Sequence, residues 1–275
     1  MNRIDLKFAE LKAEGKNALI PFITAGDPTL DHTLDIILEL EKSGADIVEL
    51  GVPYSDPLAD GPIIQESSGR ALRGAVNVLD VIELARKARS AGSELPFILF
   101  TYFNPLLRIG LDRVFKLMSE NEISGAIIPD LPMEEDSEAK QLAEQYGIHL
   151  IPLVAPTSKN RVQQIVSRAS GFIYCVSSLG VTGVRSEFHT GIDEFLASVK
   201  AATELPIAIG FGIQSREQVE RFEKTCDAIV VGSAIVRRIG EREDRLNDES
   251  TKQEALSEIG DFIRELKGTS FQPQH

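Results

Sequence analysis

Short runs of apolar, largely β-branched residues recur along the chain, each followed by a turn with Gly, Pro or Asp and then by a longer stretch with apolar positions at helical spacing. The pattern predicts strands at 18–24, 47–51, 97–101, 125–129, 149–153, 172–176, 207–210 and 228–232. Most of these are apolar at successive positions. Parallel strands covered on both faces by crossover helices read this way, whereas a sheet wet on one face would alternate. Helical patterns fill the intervals at 30–42, 79–91, 111–121, 134–146, 159–169, 192–202 and 215–224, with charged residues opposite their Leu, Ile and Val positions. A stretch at 5–14 reads as an extra N-terminal helix capping the bottom of the sheet, and 253–267 as the last outer helix.

Eight βα units in about 250 residues fit a closed (β/α)8 TIM barrel, an α/β fold, better than an open doubly wound sheet. The open sheet normally carries a GxGxxG turn after its first strand; the turn here is Thr24-Ala25-Gly26-Asp27-Pro28. No linker divides the chain, so 1–268 is expected to be one barrel domain, with 269–275 a frayed tail.

Composition narrows the function classes. The 275 residues are 43% hydrophobic, ample for a full core, and no run of about 18 apolar residues or signal-peptide layout appears. A cytoplasmic protein is expected. The formal net charge of −13 disfavours nucleic acid and anionic membranes, but not a single phosphate held by local N–H groups. Cys175 and Cys226 sit in apolar runs and read as reduced core residues. His32, His149, His189 and His275 have no metal-ligand spacing, so no metal is expected.

In such a barrel the active site lies where strands end and βα loops begin. Three places there carry candidate chemistry. Glu49, in the apolar run Ile47-Val48-Glu49-Leu50-Gly51, should point into the barrel mouth with a raised pKa, which suits proton transfer near neutrality; a structural ion pair is the alternative. The loop Pro53-Tyr54-Ser55-Asp56-Pro57-Leu58-Ala59-Asp60-Gly61-Pro62 is long and proline-stiffened. Its Asp60 is placed to accept an N–H or steady positive charge, or else serves as an ordinary turn aspartate. Glycines recur after the later strands, in Gly180-Val181-Thr182-Gly183, Gly210-Phe211-Gly212-Ile213 and Gly232-Ser233-Ala234. The last two precede helical stretches at the loops where these barrels hold phosphate. The Gly-, Ser- and Thr-rich segment 177–190 has the composition of a closing lid, or of a loose surface loop.

The Glu49–Pro62 stretch, with Pro21-Phe22-Ile23-Thr24-Ala25-Gly26-Asp27-Pro28 and the GVTG and GFGI turns, resembles the α subunit of tryptophan synthase over nearly the whole chain. The resemblance implies a carbon–carbon lyase that cleaves indole-3-glycerol phosphate to indole and glyceraldehyde 3-phosphate, without a cofactor of its own. It makes Glu49 the acid-base that protonates the indole ring carbon, and Asp60 the group that holds the indole N–H. Tyr174 would line the pocket; Phe22, Ile64 and Phe211 would press on the indole. Thr182 also belongs to the implied substrate site, while Gly183, Gly212, Gly232 and Ser233 would hold the phosphate. It further implies a β-subunit partner carrying pyridoxal phosphate in an αββα assembly, contacted by Asp56, Pro57, Leu58, Asn104, Pro105, Asp130 and Pro132. Ser178-Leu179 departs from members that have an arginine there, which bears on loop closure. No role attaches to the acidic 241–249, expected to be a solvated surface segment. A Schiff-base aldolase would need a strand lysine, and the strands above have none. A non-catalytic subunit that docks on and activates a partner is the rival from another class.

Overall fold

The computed structural model describes residues 2–158, 161–176, 191–210 and 212–269. Nine parallel ladder segments form one sheet: β1 (Ala18–Thr24), β2 (Val48–Gly51), β3 (Phe97–Phe100), β4 (Ile123–Ile127), β5 (His149–Leu150), β6 (Leu153–Val154), β7 (Ile173–Val176), β8 (Ile207–Gly210) and β9 (Ala228–Val231). Their order is β5-β4-β3-β2-β1-β9-β8-β7-β6. The two ends of that order are consecutive in the chain. β5 and β6 are halves of one run, interrupted at Ile151-Pro152, where proline has no N–H to give the ladder. The backbone still bridges the gap: Ile151 N–H donates to the Ala126 carbonyl at 2.9 Å, and Tyr174 N–H to the Pro152 carbonyl at 3.1 Å. The sheet therefore closes on itself as the expected (β/α)8 barrel.

Helices wrap it: α1 (Arg3–Glu14), α2 (Leu30–Lys42), α3 (Pro62–Leu72), α4 (Val78–Ser90), α5 (Phe103–Ile109), α6 (Leu111–Glu120), α7 (Ser137–Gln145), α8 (Val162–Val166), α9 (Ile192–Lys200), α10 (Arg216–Glu223), α11 (Ser233–Gly240), α12 (Glu243–Leu246) and α13 (Lys252–Lys267). Strand parity divides the apolar residues into two layers. Leu19, Val48, Leu50, Leu99, Ile173 and Ile209 pack outward under the helices. Ile20, Phe22, Ile98, Ile127, Phe172 and Val230 fill the interior.

The first helix closes the bottom, as expected. Asn2 caps it by accepting the Ile4 N–H, and its amide donates to the Ser124 carbonyl at 2.8 Å. Ile4, Phe8 and Leu11 join the interior cluster, with Phe8 and Phe172 rings 5.5 Å apart. The lower end of the interior is plugged by these apolar side chains, and the interior layer that holds Phe22 and Tyr174 opens toward the strands' C-terminal end.

Several boundaries differ from the sequence pattern. β4 begins two residues earlier than expected, its pairing with β3 shifting between Phe97 and Ile98. The helix expected at 159–169 is only five residues long in the described part. The acidic stretch 241–249, expected to be a solvated surface segment, contains the short α12 and ties the outer layer together: Arg242 and Arg245 both bind Glu258 on α13, and Glu243 binds Arg73 beyond α3. Residues 270–275 of the expected frayed tail lie outside the described residues. Among the described residues, no helix is long and apolar enough to cross a membrane.

Candidate active site

Residues in register around a barrel share a layer. Phe22 pairs with Glu49, Glu49 with Ile98, and Ile98 with Gly125. Phe22 and Ile98 belong to the interior cluster, so the parity that buries them also turns Glu49 inward. Its side chain is 1% exposed and its Oε1 has no hydrogen-bond partner. Burial alone pushes its pKa up to about 8. The structural ion-pair alternative therefore fails: among the described residues no cation pairs with Glu49. A carboxylate ionised there would lack compensation worth several kcal/mol, so near neutrality the group is a neutral acid.

Tyr174 stands in the same pocket on β7. Burial, and then the Glu49 charge, raise its pKa well above the ordinary phenol value, so it remains an O–H. A Cβ at Gly210 on the neighbouring strand would overlap the Tyr174 hydroxyl, and one at Gly51 would overlap the Phe22 ring. Both glycines make room for pocket side chains.

Asp60 comes from the loop after β2 and is also buried, at 7% exposure. It is no ordinary surface turn aspartate. Burial raises its pKa to about 6, partly offset by a hydrogen bond from the Tyr102 phenol. Pro62 takes the first position of α3, with Gly61 as the N-cap, so the chain after Asp60 is pre-shaped for the helix.

Between these acids lies a pocket of about 430 Å³, its open mouth included. Phe22 and Phe100 meet edge-to-face at 5.4 Å, and Ile64 and Val230 complete apolar walls. Gly212, with φ of 90°, and Gly232 and Ser233 line it too. Ser233 is the first residue of α11, where helix N–H groups lack internal partners and attract an anion. The structure thus brings together Phe22, Glu49, Asp60, Ile64, Tyr174, Gly212, Gly232 and Ser233. Thr182, Gly183 and Phe211, and the lid expected at 177–190, lie outside the described residues.

Three residues at the site were absent from the sequence reading. Phe100 and Val230 sit at inward positions near strand ends, so strand parity carried their signal. Tyr102 lies two residues beyond β3 as the N-cap of α5, and a polar aromatic just past a strand's C-terminal end was its only mark. Elsewhere, a cleft on the outer wall near Leu131, Leu150 and Ile165 is flanked by Arg161 and Arg168. These cations are paired with Glu134 and Asp136 and lie apart from the two buried acids. Among the described residues, no group of three His, Cys, Asp or Glu side chains could hold a metal ion.

A closed barrel with two buried acids and helix N–H groups around one apolar pocket is a small-molecule enzyme of the phosphate-binding barrel class. The model of the family described as tryptophan synthase alpha chain matches residues 8–264. The tryptophan synthase alpha chain of Clostridium kluyveri is 50% identical over 267 residues, 97% of this chain and 98% of that protein. The Bacillus pumilus counterpart is 50% identical over 251 residues, 91% of this chain and 94% of that protein. Among solved structures, tryptophan synthase subunit alpha from Legionella pneumophila superposes with a TM-score of 0.85 at 34% identity, covering 98% of each chain. A chain of Mycobacterium tuberculosis tryptophan synthase gives 0.86 at 32% identity, again covering 98% of each. The chain belongs to the tryptophan synthase alpha chain family.

The raised Glu49 pKa carries a stability signature. Below the ordinary carboxyl value of 4.5 the group is neutral in both folded and unfolded states; between 4.5 and about 8 only the unfolded chain ionises, so stability falls as pH rises through that window. Glu49→Gln stays neutral throughout. The variant should gain on the order of 3 kcal/mol over the wild type on going from acid to neutral pH. Urea unfolding of both proteins across this range checks it; parallel stability curves would refute the neutral-acid assignment.

Proposed function

We propose that this pocket performs the alpha-chain lyase reaction, retro-aldol cleavage of indole-3-glycerol phosphate to indole and glyceraldehyde 3-phosphate. The observation that carries the residue assignments is an unpaired, neutral carboxyl facing an apolar pocket with helix N–H groups at its rim. In this reading the indole ring lies against Phe22, Phe100 and Ile64, with Phe211 as a further wall, and the phosphate is held by Gly183, Gly212, Gly232 and Ser233, with Thr182 also in the substrate site.

Glu49 donates its proton to the ring carbon that bears the glycerol chain. The ring becomes an indolenine cation, an electron sink for the adjacent carbon–carbon bond. Asp60, ionised above about 6, accepts the indole N–H and steadies the positive charge. The bond then breaks toward the ring and restores the indole, while the neighbouring hydroxyl gives its proton to the Glu49 carboxylate and becomes the aldehyde. One proton leaves Glu49 and one returns. The balance closes without an oxidant or a cofactor on this chain.

Environment sets the two roles. Burial alone governs Glu49, whereas Asp60 has a hydrogen-bond donor that favours its charge. The active form has Asp60 ionised and Glu49 protonated. The kcat/KM profile should therefore be a bell, its acidic limb near 6 and its alkaline limb near 8. Glu49→Gln should lower indole formation by at least about a hundredfold with little change in substrate affinity. Near-normal turnover by that variant, in an assay of indole release, would overturn the mechanism.

The partner reading is a proposal of the same kind. Asp56, Leu58, Asn104 and Pro132 are exposed and Pro57, Pro105 and Asp130 partly so, with Asn104 and Pro105 in the first turn of α5 and the others on loops that follow β2 and β4. Leu58 is 78% exposed and Leu107 on α5 is 52% exposed, apolar knobs suited to a protein partner. Asp130 also has an internal task, accepting the Phe103 N–H at 2.9 Å. We infer a β subunit here, carrying the pyridoxal phosphate and receiving indole in an αββα assembly in the cytoplasm. Adding such a subunit should accelerate indole formation by ordering the Asp60 loop. Equal rates with and without it would remove the coupling.

A further inference from the structure

We propose that Tyr102 is a positioning residue for the reaction, its phenol holding the Asp60 carboxylate in its working place. The inference rests on the catalytic reading of Asp60. Tyr102 is only 2% exposed and lies at the junction of β3 and α5. Its backbone is pinned from the other side, because the next residue, Phe103, donates its N–H to Asp130 at 2.9 Å.

One side chain grips the catalytic loop at two points. The Tyr102 oxygen accepts the Ala59 N–H at 2.9 Å, one residue before Asp60, which sets the phenol close enough to the Asp60 carboxyl to favour its charge. Its ring stacks on Tyr54, centroids 4.9 Å apart and planes 27° from parallel. Tyr54 precedes and Ala59 follows the exposed rim Asp56-Pro57-Leu58, so the clamp fixes both ends of the segment that faces outward. A buried phenol that accepts a loop amide while its ring stacks on the same loop holds the backbone on both sides of the rim. The Asp60 carboxyl is then positioned by a pinned loop beside a fixed phenol.

The same contact governs the charge of Asp60. The other titratable groups around the pocket are Glu49 from β2 and Tyr174 from β7, with Asp56 on the loop's outer rim. Among the described residues none of these groups is a cation. Burial disfavours the Asp60 charge, and the Tyr102 phenol opposes that effect. Removing the hydroxyl takes that support away, so Asp60 ionises at higher pH.

Tyr102→Phe keeps the ring and its stack on Tyr54 and removes only the oxygen. In the cleavage assay with the full chain, kcat should fall about ten- to a hundredfold, as expected for loss of a hydrogen bond to a charged group, with KM within about twofold. The acidic limb of the pH profile should move to higher pH while the alkaline limb stays in place. A residue that merely stabilised the fold would not move one limb alone. Unchanged kcat and an unmoved acidic limb in Tyr102→Phe, with Asp60→Asn inactive, would overturn the positioning role. Activity retained by Asp60→Asn would instead remove the catalytic reading on which it rests.

Discussion

The account depends on one unfavourable burial. A carboxyl group sits inside the barrel wall, at a strand position whose parity admits no other orientation, with no cation to compensate it among the described residues. Desolvation alone makes it a neutral acid at physiological pH, and this is what a proton donor to a weakly basic ring carbon requires. A structural ion pair at the same position would be more comfortable for the fold and useless for the reaction. The apolar surroundings that protonate Glu49, Phe22 and Phe100 above all, are also the surfaces against which an indole would lie. Substrate recognition and acid strength thus arise from the same side chains.

Asp60 shows how a second carboxyl in the same pocket is given the opposite task. It too is buried, but it hangs from a loop rather than a strand, and it meets a phenol whose geometry is fixed by a backbone amide. The two acids titrate in different ranges because Glu49 is the more completely buried and Asp60 also has a phenol beside it that favours its charge. Both are held by the barrel's upper rim, whereas the lower end is sealed by α1. The outer rim of the Asp60 loop carries an apolar residue left in solvent, Leu58, and the inner rim carries the buried carboxyl proposed to take part in the reaction. The loop therefore joins the surface proposed for a partner to the charge proposed to steady the intermediate.

Much of this was legible in the sequence, for a physical reason. Strands buried on both faces must be apolar at nearly every position, so a single Glu within such a run stands out, and Glu49 did. Glycines at strand ends ahead of helical stretches marked Gly212 and Gly232 for a related reason: without side chains they let the backbone line the pocket. Other features were hidden. Pro152 splits one strand into two ladder segments, yet its neighbours are apolar enough to read as continuous. The polar residues of α12 looked like solvated surface because their partners, Glu258 and Arg73, are distant in sequence. Tyr102 gave almost no signal, since its importance lies in contacts with Tyr54, Ala59 and Asp60 that only the folded loop creates.

The most direct test is to observe the Glu49 carboxyl itself, by carbonyl-stretch infrared difference spectroscopy of the wild type against Glu49→Gln over a pH series. The account predicts a protonated carboxyl band assignable to Glu49 at neutral pH, disappearing with a midpoint near 8. A carboxylate band already present at mildly acidic pH, with a midpoint near the ordinary 4.5, would contradict it.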